Sequence, residues 1–209
     1  MQNIRQRILQ IIQERGKATV AELADILGMA PVSVRHHLDI LQGDGLIRVD
    51  GVRRRSGAGR PQHVYSLTPD AYQVFPKNYA HLLHHLLNYL ADVDPQGLHK
   101  VVEEVARRMA QDAQLDSPQA LSPDVFLEHV VHFLNEHGYM ARWQRENGEY
   151  ALLFANCPYV DLVTSHPILC QLDRALIRFL LNTREDVEMQ TSIRDGAHQC
   201  VWRVSPTAI

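Results

Sequence analysis

Three cysteines, Cys157, Cys170 and Cys200, are the side chains best suited to hold a soft metal or to act as nucleophiles, and all fall in the last quarter of the chain. Twelve residues separate the first two and twenty-nine the last two, so they lack the tight local pairs of a zinc finger or ribbon. Dispersed thiolates suit an iron-sulfur cluster, because the inorganic core itself spans several ångströms. Three cysteines in 209 residues is also an ordinary count, and free cysteine is among the most buried residue types, so a purely structural role stays open. An odd, small number argues against a disulfide framework and for reduced thiols or metal ligands. As nucleophiles, Cys157 or Cys170 would need a base such as His166 or His198. No activating motif or oxyanion-forming loop accompanies them, so the reading is not that of an enzyme.

Arginine carries a second chemistry. Arg53, Arg54, Arg55 and Arg60 sit in the run Arg53 to Pro61, whose Gly-rich tip cannot fold inward and would offer guanidiniums to a phosphate backbone. The net charge of −3 hides an asymmetry: residues 1–69 carry +4 and the remainder −7. A basic N-terminal third fits a nucleic-acid module joined to a domain that does not touch the polyanion.

These arginines need a scaffold, and the preceding sequence predicts one. Ile4, Ile8, Leu9, Ile11 and Ile12 recur at helical spacing over residues 3–15. Thr19 and Glu22 have the spacing of a capping box, opening a short helix with Leu23, Ile26 and Leu27 as its apolar side. Gly28 supplies a left-handed turn residue, Pro31 starts the next helix, and Val34, Leu38 and Leu41 form its buried stripe. That pattern is helix, turn, recognition helix. Val32, Ser33, Arg35 and His36 are left to face the major groove: Arg35 to bond guanine, His36 to donate to base or phosphate, Ser33 to position the backbone. His37, beside the apolar stripe, reads as structural. Leu46 to Val49 and His63 to Leu67 alternate as two strands with the Arg-Gly segment as their tip, completing a winged helix-turn-helix.

Beyond it, Thr68-Pro69 caps a turn and Pro76 leads into a helix with Tyr79, Leu82, Leu83, Leu86 and Leu90 on a wide apolar face. Asp94-Pro95 caps another, with Leu98, Val101, Val102, Val105 and Met109 on its buried side. Two such helices suit a homodimer that sets paired recognition helices one duplex turn apart, roughly 34 Å. His81, His84 and His85 have metal-ligand spacing, as do His129, His132 and Glu136. Both sets read as the wet edge of a helix.

From Ser122-Pro123 a helix with Phe126, Val130, Phe133 and Leu134 is predicted, then strands over Tyr139 to Arg145 and Tyr150 to Asn156 around an Asn147-Gly148 turn. A helix over Ile168 to Leu181 and two further strands, Val187 to Ile193 and Cys200 to Val204, complete helix, strand, strand, helix, strand, strand. The expected architecture is α+β in three parts: a winged helix-turn-helix at 1–69, helical dimerisation elements at 70–118 and a sensor domain at 119–209. No apolar run of membrane-spanning length and no charged-then-apolar leader occur, so the chain reads as cytoplasmic, with double-stranded DNA and no membrane among its partners.

The run from Pro31 through "SVRHHLDILQGDGLI" to "RRRSGAGRPQHVYSLTP" resembles winged-helix repressors of the ArsR and DeoR types, and "FPKNYAHLLHHLL" narrows the likeness to the iron-sulfur-assembly repressors, the SufR group. The pattern GRPxxxYxLT after a recognition helix is fairly specific, and the likeness runs over most of the chain. It implies a repressor whose operator affinity is set by an iron-sulfur cluster in the C-terminal domain. "CPYVDLVTSHPILC" looks like the first ligand pair and Cys200 like a later one. The chain departs from a four-cysteine pattern, offering Arg184 and Glu185 where a further cysteine would fall. A fourth ligand would then be non-cysteine, exogenous or absent. His166, four residues before Cys170, is the candidate and Asp161 the reserve; a capping role for His166 before Pro167 stays open. The alternative is a regulator whose thiols hold zinc or line a small-molecule pocket.

Overall fold

A computed structural model describes residues 4–54, 61–115, 121–146, 148–185 and 187–205. The chain forms two compact units, Met1–Lys77 and Asn78–Ile209.

In the first unit, α1 (Ile4–Arg15) buries Ile8, Leu9, Ile11 and Ile12. Next come a two-residue strand β1 (Ala18–Thr19), α2 (Val20–Leu27) and α3 (Pro31–Gly43). Thr19 caps α2 through a complete capping box: its hydroxyl accepts from the Glu22 amide at 3.3 Å, and the Glu22 carboxylate accepts from the Thr19 amide at 2.7 Å. Gly28 ends α2 at φ 63°, a left-handed conformation that costs glycine nothing. Pro31 opens α3, where Val34, Leu38 and Leu41 are buried as the spacing predicts.

Strands β2 (Ile47–Arg53) and β3 (Gln62–Leu67) pair antiparallel, with β1 on the other side of β3. The hairpin therefore extends further toward its tip than the sequence predicts. Arg53 pairs with Gln62 inside the ladder rather than standing in the loop. The Thr68 hydroxyl donates to the Gly45 carbonyl at 2.6 Å, and a 3-10 turn (Asp70–Val74) follows. Ile26, expected on the buried side of α2, is exposed, as is Ile4.

The second unit begins with α4 (Tyr79–Val93) and α5 (Pro95–Asp112). Asp94 caps α5 by accepting from the Gly97 amide at 2.8 Å. Both helices pack within the second unit. Leu87, Leu98, Val102 and Ala106 belong to one core with α6 (Pro123–Glu136) and the strands, and α5 packs along α8 (Ile168–Leu180). The buried side of α5 is narrower than expected, since Val101 and Val105 are exposed. On α4 the apolar residues divide: Leu83, Leu87 and Leu90 face the core, whereas Tyr79, Leu82, Leu86, Tyr89 and Val93 are exposed.

Four antiparallel strands, β4 (Ala141–Glu146), β5 (Glu149–Phe154), β6 (Glu188–Thr191) and β7 (Cys200–Val204), form a sheet in the order β4-β5-β7-β6. Cys200, Trp202 and Val204 lie on the buried face of β7, as alternation predicts. A one-turn helix α7 (Val160–Val163) links β5 to α8, and Ile193 belongs to a 3-10 turn rather than to a strand. The result is the α+β class expected, an N-terminal helix-turn-helix with a hairpin wing and a strand-bearing C-terminal unit. Among the described residues no helix is long and apolar enough to cross a membrane.

Candidate functional site

On α3 the four residues predicted to read DNA lie at or near the surface. Val32 is 69% exposed, Arg35 and His36 are exposed, and Ser33 is half-buried. His37 is half-buried, and its Nδ1 has no partner among the described residues. Beside this helix is a groove of about 770 Å³ lined by Val20, Ala21, Pro31, Arg35, His63 and Tyr65, among others. It joins the first turns of α2 and α3 to the wing strand β3. Helix α3 has no side-chain cap, so its first amides and partial positive charge, with Arg35, suit an anionic backbone. His63 and Gln62 line it too. Strand alternation is their one signal in the sequence.

The wing arginines divide. Arg54 is exposed, and Arg55 and Arg60 lie outside the described residues. The Arg53 guanidinium bonds Glu22 Oε1 at 2.6 Å. Glu22 thus serves the cap of α2 and the wing together. The Thr19 amide, ahead of Arg53, holds its carboxyl below the usual range against a smaller upward push from burial. An incoming phosphate must displace or share that contact to use Arg53.

In the second unit the three cysteines, set on the loop after β5, on α8 and on β7, are all buried and unpaired as disulfides. All three belong to one buried core, where the charge of Cys200 or Cys170 would raise the titration of Cys157, and that of Cys200 would raise Cys170. Burial is the largest cause and pushes Cys157 up to about 11 and the other two upward as well. Thiols so placed are neutral near pH 7 and poor nucleophiles. Two amides point the other way. The Tyr159 N–H bonds the Cys157 sulfur, and the Ile193 N–H donates to Cys200 Sγ at 3.3 Å. Arg194 acts favourably on Cys170 and Cys200, although its guanidinium is paired with Asp195 at 2.9 Å.

The sequence missed the side chain among these thiols. Asp173 lies one turn beyond Cys170 on α8, is buried, and acts electrostatically on all three cysteines. Burial lifts its carboxyl to about 7, opposed by the Tyr139 hydroxyl, which donates to Oδ1 at 2.7 Å. The Tyr139 and Tyr159 hydroxyls are 3.4 Å apart, so two tyrosines back the carboxyl.

His166 is placed differently from the sequence expectation. Helix α8 starts at Ile168 behind Pro167, so His166 is not one turn before Cys170 on a helix. Its Nε2 lies 2.9 Å from His84 Nδ1, and burial followed by His84 lowers its titration. Asp161 is exposed. His81 and His85 approach each other at 3.2 Å, while His132 pairs with Glu136 at 3.5 Å in an exposed position. Among the described residues, no group of three or more His, Cys, Asp or Glu closes on a single point as the ligands of one metal ion do.

Comparison with known families identifies both units. Residues 3–49 match the bacterial regulatory protein, arsR family, a span running from α1 into β2. Residues 80–205 match Methanogen output domain 1, which takes in α4 through β7. No curated protein matches the chain. The ArsR-type helix-turn-helix makes the N-terminal unit that of a DNA-binding transcriptional regulator. With the second match covering more than half of its length, the chain belongs to the Methanogen output domain 1 family, here carried behind an ArsR-family helix-turn-helix.

Proposed function

We propose that this regulator is a homodimeric repressor whose hold on operator DNA is set by an iron-sulfur cluster carried on Cys157, Cys170 and Cys200. The observation that carries this reading is the convergence of three buried thiols from three separate elements, with backbone amides aimed at two of the sulfurs. Amide-to-sulfur bonds stabilise thiolates and tune cluster potential. Trp202, on the Cys200 face of β7, adds a buried indole N–H without an acceptor among the described residues. The alternative occupant of the same donors is a single zinc ion. The resemblance of the recognition helix, wing and "CPYVDLVTSHPILC" segment to iron-sulfur-assembly repressors supports the same group.

A bound cluster would supply a redox- and oxygen-sensitive charge centre. The chain's own residues do the rest. Cys170 rides on α8, α8 packs along α5, and α5 packs on α4. Helix α4 presents Tyr79, Leu82, Leu86, Tyr89 and Val93, spaced three and four residues apart in turn, which is the a/d pattern of a two-helix seam. A change among the thiols thereby reaches the surface where a second copy would dock, and with it the spacing of two recognition helices.

Protein purified without oxygen is expected to contain iron and acid-labile sulfide and to absorb in the visible, and removal of the cluster is expected to change operator affinity at least about tenfold. Colourless protein lacking iron and sulfide, or one equivalent of zinc in their place, sinks the reading.

The DNA contacts have their own test. Arg54→Ala is expected to weaken binding to every sequence and reduce the salt slope by about one. Arg35→Ala is expected to cost about 1–3 kcal/mol and to relax preference at one base position. Identical behaviour of the two variants across an operator series would refute the division into backbone and base contacts.

A further inference from the structure

We infer that Asp173 is the fourth anchor of the cluster, an oxygen ligand beside three thiolates; this rests on the iron-sulfur reading above. Asp173 and Cys170 stand three residues apart on α8, so one helical face carries both. Asp173 is 6% exposed, in a core otherwise made of leucines, valines and aromatic rings. A carboxyl and three thiols gathered in such a place share one property: each binds a cation only after losing its proton. Neutral thiols bury readily, so the carboxyl is the member of this set whose burial calls for a partner beyond the Tyr139 hydroxyl. Arg194, the positive group that acts on Cys170 and Cys200, is already engaged with Asp195.

The carboxyl is held as ligating carboxylates are. The Tyr139 hydroxyl donates to Oδ1, and Tyr159 stands behind Tyr139. Outer hydrogen bonds of this kind fix the direction of a metal ligand and are part of the site's design. An ion pair does not explain the burial, since no cation is paired with Asp173 among the described residues. His166, the other candidate, has its ring against His84. A carboxylate is a harder, more weakly held ligand for iron than a thiolate. One iron would therefore be the first to be lost to oxidants, which is what an oxygen-responsive regulator requires.

The test uses full-length protein loaded with iron and sulfide under anaerobic conditions. Mössbauer spectra of the unaltered protein are expected to resolve one iron site with oxygen ligation. Asp173→Asn keeps the volume and removes the charge; it is expected to change that site's spectrum and to speed bleaching in air at least fivefold, on the order of a 1 kcal/mol loss in ligand binding. Asp173→Cys is expected to give all-sulfur ligation and slower bleaching. Iron sites all sulfur-ligated in the unaltered protein, or an Asn variant with unchanged spectra and bleaching, would overturn the role of Asp173 while leaving the cluster in place. Failure of the unaltered protein to take up iron and sulfide would instead remove the cluster reading, and this inference with it. Solvent oxygen gives the same kind of site, so the variants assign the ligand: an oxygen-ligated iron that persists in Asp173→Cys overturns the role of Asp173, and that variant keeps the test where Asp173→Asn does not fold.

Discussion

Leu82→Glu combined with Leu86→Glu is expected to convert the proposed dimer to monomers and to lower operator affinity about a thousandfold. Both leucines are exposed on α4 and are flanked along the same stripe by Tyr79, Tyr89 and Val93. Neither belongs to the second unit's core among the described residues, where Leu83, Leu87 and Leu90 supply the inward side of the helix. The substitutions therefore leave the fold intact and place four carboxylates in the proposed seam, where like charges without partners cost several kcal/mol. Specific binding exceeds nonspecific binding by roughly 4–10 kcal/mol, and a monomer reading one half-site loses much of that margin. Sedimentation at micromolar concentration with a parallel operator titration checks both halves. A double variant that remains dimeric would show that association uses another surface.

The second large effect concerns the buried carboxyl in metal-free protein. Asp173 has an ordinary value of 3.8 and sits at about 7 when folded. Because the folded value is the higher, this group's contribution to stability is fully present below about pH 4 and is lost as the pH rises through about 7. Tyr139→Phe removes the hydroxyl that donates to Oδ1. Near pH 8, where the carboxylate is charged, the loss is expected to be about 2–3 kcal/mol, against about 1 kcal/mol near pH 5, where the pair is neutral. Urea unfolding of the metal-free protein at the two pH values measures the difference. Equal losses at both would mean that Asp173 does not ionise in the folded state below pH 8.

Local chemistry made the first unit legible. Thr19 and Glu22 satisfy each other's backbone amides, Gly28 takes a conformation that most other residues avoid, and Pro31 suits the first turn of a helix and not its interior. Each signal acts within four residues and survives without tertiary context. The two-residue β1 and the pairing of Arg53 with Gln62 were not legible, because both depend on a partner strand brought from more than eight residues away. On α4, apolar residues on two sides gave one wide stripe in sequence. Only packing against α5 and α7 separates the buried side from the exposed one.

The thiol site shows the same limit. That the three cysteines belong to one small domain followed from the alternation of β7 and the apolar spacing of α8. Asp173 did not, since an acid between Leu172 and Arg174 reads as the wet side of an amphipathic helix. Helix α8 is covered more completely than that, burying Leu169, Leu172, Leu176 and Leu180 together with Ala175 and Ile177. His166 drew attention by its distance from Cys170 along the chain, which would be one helical turn only if the helix began two residues earlier.

The four-stranded sheet also constrains how copies of this protein can meet. Its outer strands are β4 and β6. The first shows water Arg142 and Arg145, and the second is only four residues long, carries an irregularity after Met189 and exposes Glu188. Charge, shortness and broken register are the devices by which strand rims resist lateral recruitment of further strands. Lateral growth of this sheet into open-ended filaments is thus discouraged on both of its flanks.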